Sequence, residues 1–398
     1  MRHADADQPA EKGRRMTDED SSRSSLLQPA FGLSRHRASI LAALMLPIFG
    51  APLFALSDWR AGIEVPLTQD FAVLARVLLV MPLLIAAAPQ FDMLIDRAME
   101  QPMRAGLLSP RMLQRHRDWS ARLRALRGNR AINIVLVLLA VGSCLWQPIL
   151  PGPLLGLTGW GFGANGRLNA AGGWYAFLFM PLFRFLILMW LWRLLLWTVL
   201  LGSLARLNLR LNAAHPDGAG GLGYLGFVQQ RLSVLLVAGA LMLAGSAANR
   251  IRHLGETMSD NLYPLVGYVL VYPLLLLAPL LLLTPLLLRA KRDAVLAYGV
   301  LGQQMAQAFH KGWIQQPAAP DAQLLSPAPS AMADFGTVHA TVAGMGLLPI
   351  RLNGILVMLL SAGAPLALLL FVQLPFDLLL RSALAEIPPF DLVAAATP

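Results

Sequence analysis

Apolar positions in this chain gather in long runs, in place of the short alternations of strands or the one-sided stripes of soluble helices. Seven runs, 38–56, 71–88, 131–147, 175–204, 232–248, 263–288 and 354–374, are 17 to 30 residues long. About 20 helical residues at roughly 1.5 Å each cross about 30 Å of hydrocarbon. The pattern therefore predicts an all-α polytopic transmembrane bundle of about seven spans. Pro365 and Pro375 interrupt the last run, and 376–387 reads as an interfacial helix, so six spans with a re-entrant segment is the alternative.

Between the runs the pattern changes. Residues 1–37 are polar and of mixed charge, which predicts a disordered tail. After the second run, Ser109-Pro110 signals a helix start, and Met112, His116, Trp119, Leu123 and Leu126 recur at helical spacing. Arg111, Arg115, Arg117, Arg122, Arg124 and Arg127 cover much of the remaining surface. Such a helix beside a span is expected to lie on anionic lipid headgroups, at about 1 kcal/mol per basic residue; the plainer reading is a solvated helix. In 289–353, Ala294, Tyr298, Leu301, Met305 and Phe309 form one stripe, and Met332, Phe335, Val338, Val342 and Met345 another, across a Pro/Ala-rich linker at 315–330. Two helices folding back on each other, or on a neighbouring subunit of a homo-oligomer, are expected there.

Charge then fixes the threading. Only 14% of the 398 residues are charged and 56% are hydrophobic, against about 25% charged in soluble domains. The net charge of +10 suggests nucleic acid until its placement is examined. With the N-terminus inside, segments 1–37, 89–130, 205–231 and 289–353 hold 24 Lys and Arg, and the outer segments hold 5. The positive-inside rule accounts for that asymmetry, so no nucleic-acid partner is expected. The resulting division is a tail (1–37), six spans (38–288) with the basic loop 89–130 and the turn 205–231, a cytoplasmic helical segment (289–353), and a last span with its tail (354–398). Cys144 is the one cysteine, which excludes an internal disulfide and a Cys-based metal cluster.

Candidate chemistry is sparse. His215-Pro216-Asp217 precedes Gly218, Gly220, Gly221 and Gly223. The G-x-G-x-x-G spacing lacks the preceding strand and βαβ unit of a dinucleotide site and is rejected. What remains is a helix start with Asp217 as a cap, exposed backbone N–H groups and a switchable His215: a candidate site for an anion or small ligand, or else a tight packing turn. Arg76 and Arg193 lie near span ends, from which they are expected to snorkel. Arg184 sits about 14 Å into its run and finds no Asp or Glu within any run, so it needs carbonyls, water, an aromatic face such as Trp190, or an anionic ligand. Pro273, Pro279 and Pro285 predict a broken sixth span, and 151–174, with eight glycines, a loop that is flexible or dips back into the bilayer. The common hydrolase, metalloprotease and P-loop motifs are absent, so no catalytic residue, cofactor or metal is expected.

The stretch Gly166-Arg167-Leu168-Asn169-Ala170-Ala171-Gly172-Gly173-Trp174-Tyr175-Ala176-Phe177 is followed by Trp190-Leu191-Trp192-Arg193, then His215-Pro216-Asp217 with Gly220-Gly221-Leu222-Gly223, and later Tyr298-Gly299 and Lys311-Gly312-Trp313. In these the chain resembles a family of uncharacterised multi-pass bacterial inner-membrane proteins with an HPDxAGGLG-type turn. The resemblance implies that location and no activity. The reading that results is a channel or transporter for an anionic or polar solute. A membrane scaffold or sensor is the alternative, and a lipid-modifying enzyme the weakest.

Overall fold

The computed structural model describes residues 40–41, 44, 46–57, 63–146, 159–163, 166–315 and 327–373. The expected tail at 1–37, most of the linker at 315–330 and the segment 376–387 lie outside the described residues, and the first expected span is described only in part. The helices are α1 (Ala51–Leu56), α2 (Phe71–Arg104), α3 (Pro110–Arg127), α4 (Arg130–Trp146), α5 (Ala170–Ala205), α6 (Gly223–Leu254), α7 (Met258–Gln315), α8 (Ala328–Ala343) and α9 (Leu352–Leu370). Five of them, α2, α5, α6, α7 and α9, are long and apolar enough to cross a membrane. The pair α3 and α4, bent by 43°, makes a sixth if the two are counted as one span. This is an all-α integral membrane protein.

Helix α5 is central. It packs on α2, on α4 and on a 3-10 stretch of α7, Ala278–Leu283, while α6 packs on α2 and α9. Tyr175, Phe179 and Phe183 stack along α5 at 5.3 and 5.8 Å, and Trp190 and Trp197 are fully buried farther along it. The 3-10 stretch lies where Pro279 and Pro285 remove backbone donors, and the helix continues through it without a gap. Helix α7 is about 87 Å long at 1.5 Å per residue. That exceeds any bilayer, so its far half runs past the bundle, where α8 folds back on it with Phe335 stacked 6.4 Å from Tyr298. The two stripes thus meet within one chain.

Helix α2 continues 16 residues beyond the expected span end at 88, reaching Arg104. Asp92 therefore lies in the same continuous helix as the apolar run, four residues past its expected end. Helix α3 begins at Pro110 as expected, although the Ser109 side chain makes no capping bond. It is not isolated on a surface. Its residues 116 to 127 run antiparallel to 99 to 92 of α2, joined by side-chain bonds, before the chain bends into α4.

At the opposite end of the bundle, the described part of the glycine-rich loop is tightly packed. Trp160 is fully buried and donates through Nε1 to Asp70 at 3.0 Å. Asp70 also accepts from Asn249 Nδ2 at 2.9 Å, and Asn249 Oδ1 accepts from the Phe71 N–H, which seals the start of α2 against the end of α6. Arg76 does not snorkel but donates to the buried Tyr175 hydroxyl at 2.8 Å, where wide π-helical turns of α2 and α5 face each other.

Candidate functional site

The densest cluster of charge is at the basic end, where α2, α3 and α5 meet. Asp92, Asp96 and Glu100 are spaced by four residues, so they share one face of α2. Arg193 of α5 donates through Nε and Nη2 to the two carboxylate oxygens of Asp92, at 3.1 and 3.0 Å, with both side chains less than 5% exposed. Its guanidinium carbon lies 5.6 Å from the Trp190 ring centroid. Arg193 therefore does not reach an interface, and the Trp190 face lies beside it. Arg127, 6% exposed, donates to Asp96 at 2.8 Å and to the Asp92 carbonyl; Arg124 reaches Asp96 and Glu100. These two of the six helix arginines face α2, and the acid stripe absorbs them.

The other arginines remain outward. Arg115 and Arg122 of α3, seven residues apart on one face, converge with Arg206 just beyond α5 on a cavity of about 560 Å³. His116, Asp118, Trp119 and Ser203 complete its polar lining. None of the three arginines has a side-chain hydrogen bond or ion pair among the described residues. His116 is 1% exposed, and its Nε2 is 2.8 Å from the Met99 carbonyl, which fixes the proton on that nitrogen. Its buried Nδ1, like the Trp119 Nε1, has no partner among the described residues. Three cations against one carboxylate suit a compact anion that accepts several hydrogen bonds, above all a phosphate. Arg111 and Arg117 are exposed elsewhere on α3.

The His215 turn is organised differently. Asp217 accepts from the N–H groups of Ala219, Gly221 and Gly223 at 2.8, 3.2 and 2.8 Å, and His215 Nδ1 lies 2.9 Å from its Oδ1. Burial alone would raise this carboxyl, but the three backbone donors and His215 together hold it below the usual carboxylate value. The amides expected to receive an external anion are thus already occupied by the protein's own carboxylate. Gly218, Gly220 and Gly221 have φ of +69°, +66° and +96°, which lets the chain wrap Asp217 this tightly. Gly218 accepts from the Gly346 N–H at 2.8 Å, and a Cβ on Gly226 would collide with the Pro349 carbonyl oxygen. These contacts make the turn a packing joint between the start of α6 and the chain entering α9.

Arg184 donates to Ser143 Oγ of α4 at 3.1 Å and does not line the basic cavity. The structure thus separates the expected candidates: Arg184, the turn and the basic helix lie at three different places. Sequence reasoning missed Asp92 and Arg206. The four-residue spacing of Asp92, Asp96 and Glu100 was the available signal, hidden because Pro89-Gln90 reads as the end of a span. Comparison with known protein families, characterised proteins and solved structures finds no match to this chain.

Proposed function

We propose that this integral membrane protein binds a phosphate-bearing anion in the cavity between α3 and the end of α5, and works as a membrane-anchored receptor or scaffold. The observation that carries this reading is the convergence of Arg115, Arg122 and Arg206, unpaired among the described residues, on one cavity. Transport has less support, because Arg184, its principal sequence argument, bonds Ser143 and lies away from that cavity. The basic end faces the cytoplasm in this reading, supported by the 24 to 5 division of Lys and Arg. The resemblance to bacterial inner-membrane proteins supports that membrane as the location. A lipid headgroup and a free phosphate compound present the same chemistry to the three arginines.

The test uses the full chain in nanodiscs of phosphatidylcholine alone or with phosphatidylglycerol, and inorganic phosphate as the soluble probe. Saturable thermal stabilisation by inorganic phosphate, lost in Arg115→Gln/Arg122→Gln/Arg206→Gln, identifies a free anion. Stabilisation only by phosphatidylglycerol, lost in the same variant, identifies a headgroup. No response to either probe refutes the reading, and saturable phosphate flux in liposomes would move the protein to the carriers.

A further inference from the structure

A second cavity, of about 690 Å³, opens on the side of the bundle between α2, α6 and α9. Its apolar lining includes Leu83, Ala86, Ala87, Val234, Val237 and Val357, with the small side chains of Ala86 and Ala87 on α2. One end is polar, with Gln90, Arg97, Gln230 and Arg231. No carboxylate lines it. Helix α2 explains the sorting: its acids, Asp92, Asp96 and Glu100, face α3 and α5, whereas Arg97 lies on the groove side without a side-chain partner among the described residues. Arg231 is held at the rim with its guanidinium 4.8 Å from the Phe227 ring centroid.

The dimensions favour one occupant. From Leu83 to Arg97 the groove follows α2 for about 21 Å at 1.5 Å per residue. Half of an approximately 30 Å hydrocarbon layer is about 15 Å, which leaves about 6 Å for a glycerol and phosphate at the level of the arginines. We propose that this groove is a binding site for a single anionic glycerophospholipid, with an acyl chain against Ala86, Ala87 and Val237 and its phosphate between Arg97 and Arg231. The site shares no lining residue with the cavity at Arg115 and stands whether or not that cavity binds an anion. A lipid held here bridges α2, α6 and α9, the last of which touches the groove only through Val357.

The experiment is native mass spectrometry of the full chain, released from detergent micelles after equilibration with equimolar palmitoyl-oleoyl phosphatidylglycerol and phosphatidylcholine. In the Arg115→Gln/Arg122→Gln/Arg206→Gln background, in which the other cavity cannot hold a headgroup, one retained phosphatidylglycerol is expected, preferred at least tenfold. Each of Arg97→Gln and Arg231→Gln should lower the preference roughly fivefold, and the pair should abolish it. Ala87→Phe should displace the lipid by filling the recess; should that variant fail to fold, the exposed arginine variants decide the matter alone. Any further phosphatidylglycerol that the unmodified chain retains over this background reports the cavity at Arg115, so failure of the two readings can be told apart. Equal retention of both lipids, or an unchanged preference in Arg97→Gln/Arg231→Gln, would overturn the site.

Discussion

Replacing Asp92 by Leu strands a guanidinium in the interior. Arg193 is 2% exposed and Asp92 4%, so solvent does not screen the pair, and the cost belongs to the buried class. Both hydrogen bonds of the pair are lost at once, Nη1 already lacks a partner among the described residues, and the Trp190 face at 5.6 Å offers only a weak substitute. A lone buried charge of this kind costs about 3–5 kcal/mol. Arg193→Met should cost a similar amount, because the Asp92 carboxylate then remains without its cation. Asp92→Leu combined with Arg193→Met removes both charges and should recover most of the stability, since an apolar pair of similar volume avoids desolvation altogether. The assay is unfolding in mixed micelles by SDS titration, followed by tryptophan fluorescence, on the four proteins of the cycle. Trp190, beside Arg193, reports the local packing. Single variants that each cost under about 1 kcal/mol, or costs that simply add in the double variant, would show that the two groups are not a coupled buried pair.

Gly226→Ala should prevent close docking of α6 on the chain entering α9, since the obstacle is backbone that cannot rotate away; a loss of about 1–3 kcal/mol is expected in the same unfolding assay. Gly267→Ala, whose Cβ would meet nothing within 4 Å, is the matched control and should cost almost nothing. For the turn, the folded-state Asp217 carboxyl lies below its ordinary value of 3.8. Its stabilisation is therefore present above that value and lost as pH falls through the lower folded-state one. Asp217→Ala should lose about 1 kcal/mol at neutral pH, as for a missing cap, and its acid unfolding should lack that component. An identical acid profile in Asp217→Ala and the unmodified chain would count against this account.

Membrane residence and helical build were legible in the sequence, because hydrocarbon leaves each backbone N–H and C=O only internal partners, and apolar runs of span length have few alternatives to a helix. The place of the 3-10 stretch in the sixth run was legible for an equally local reason: proline lacks the N–H wherever it is placed. The partners of the charges were not. Asp92 and Arg193 are 101 residues apart, and their meeting depends on α2 remaining helical past Pro89, which no local pattern specifies. Once paired, they turn an apparent span end into the interior of the bundle. The basic helix shows the same division. Its six arginines follow from spacing, but the acid stripe of α2 decided that Arg124 and Arg127 turn inward and that Arg115 and Arg122 stay free to converge with Arg206. At 215–223 the residues announced a helix start, and only the tertiary arrangement, with 346–351 pressed against Gly218 and Gly226, made Asp217 the anion that fills it. Local sequence sets which groups need partners, and packing between distant segments determines which partners they find.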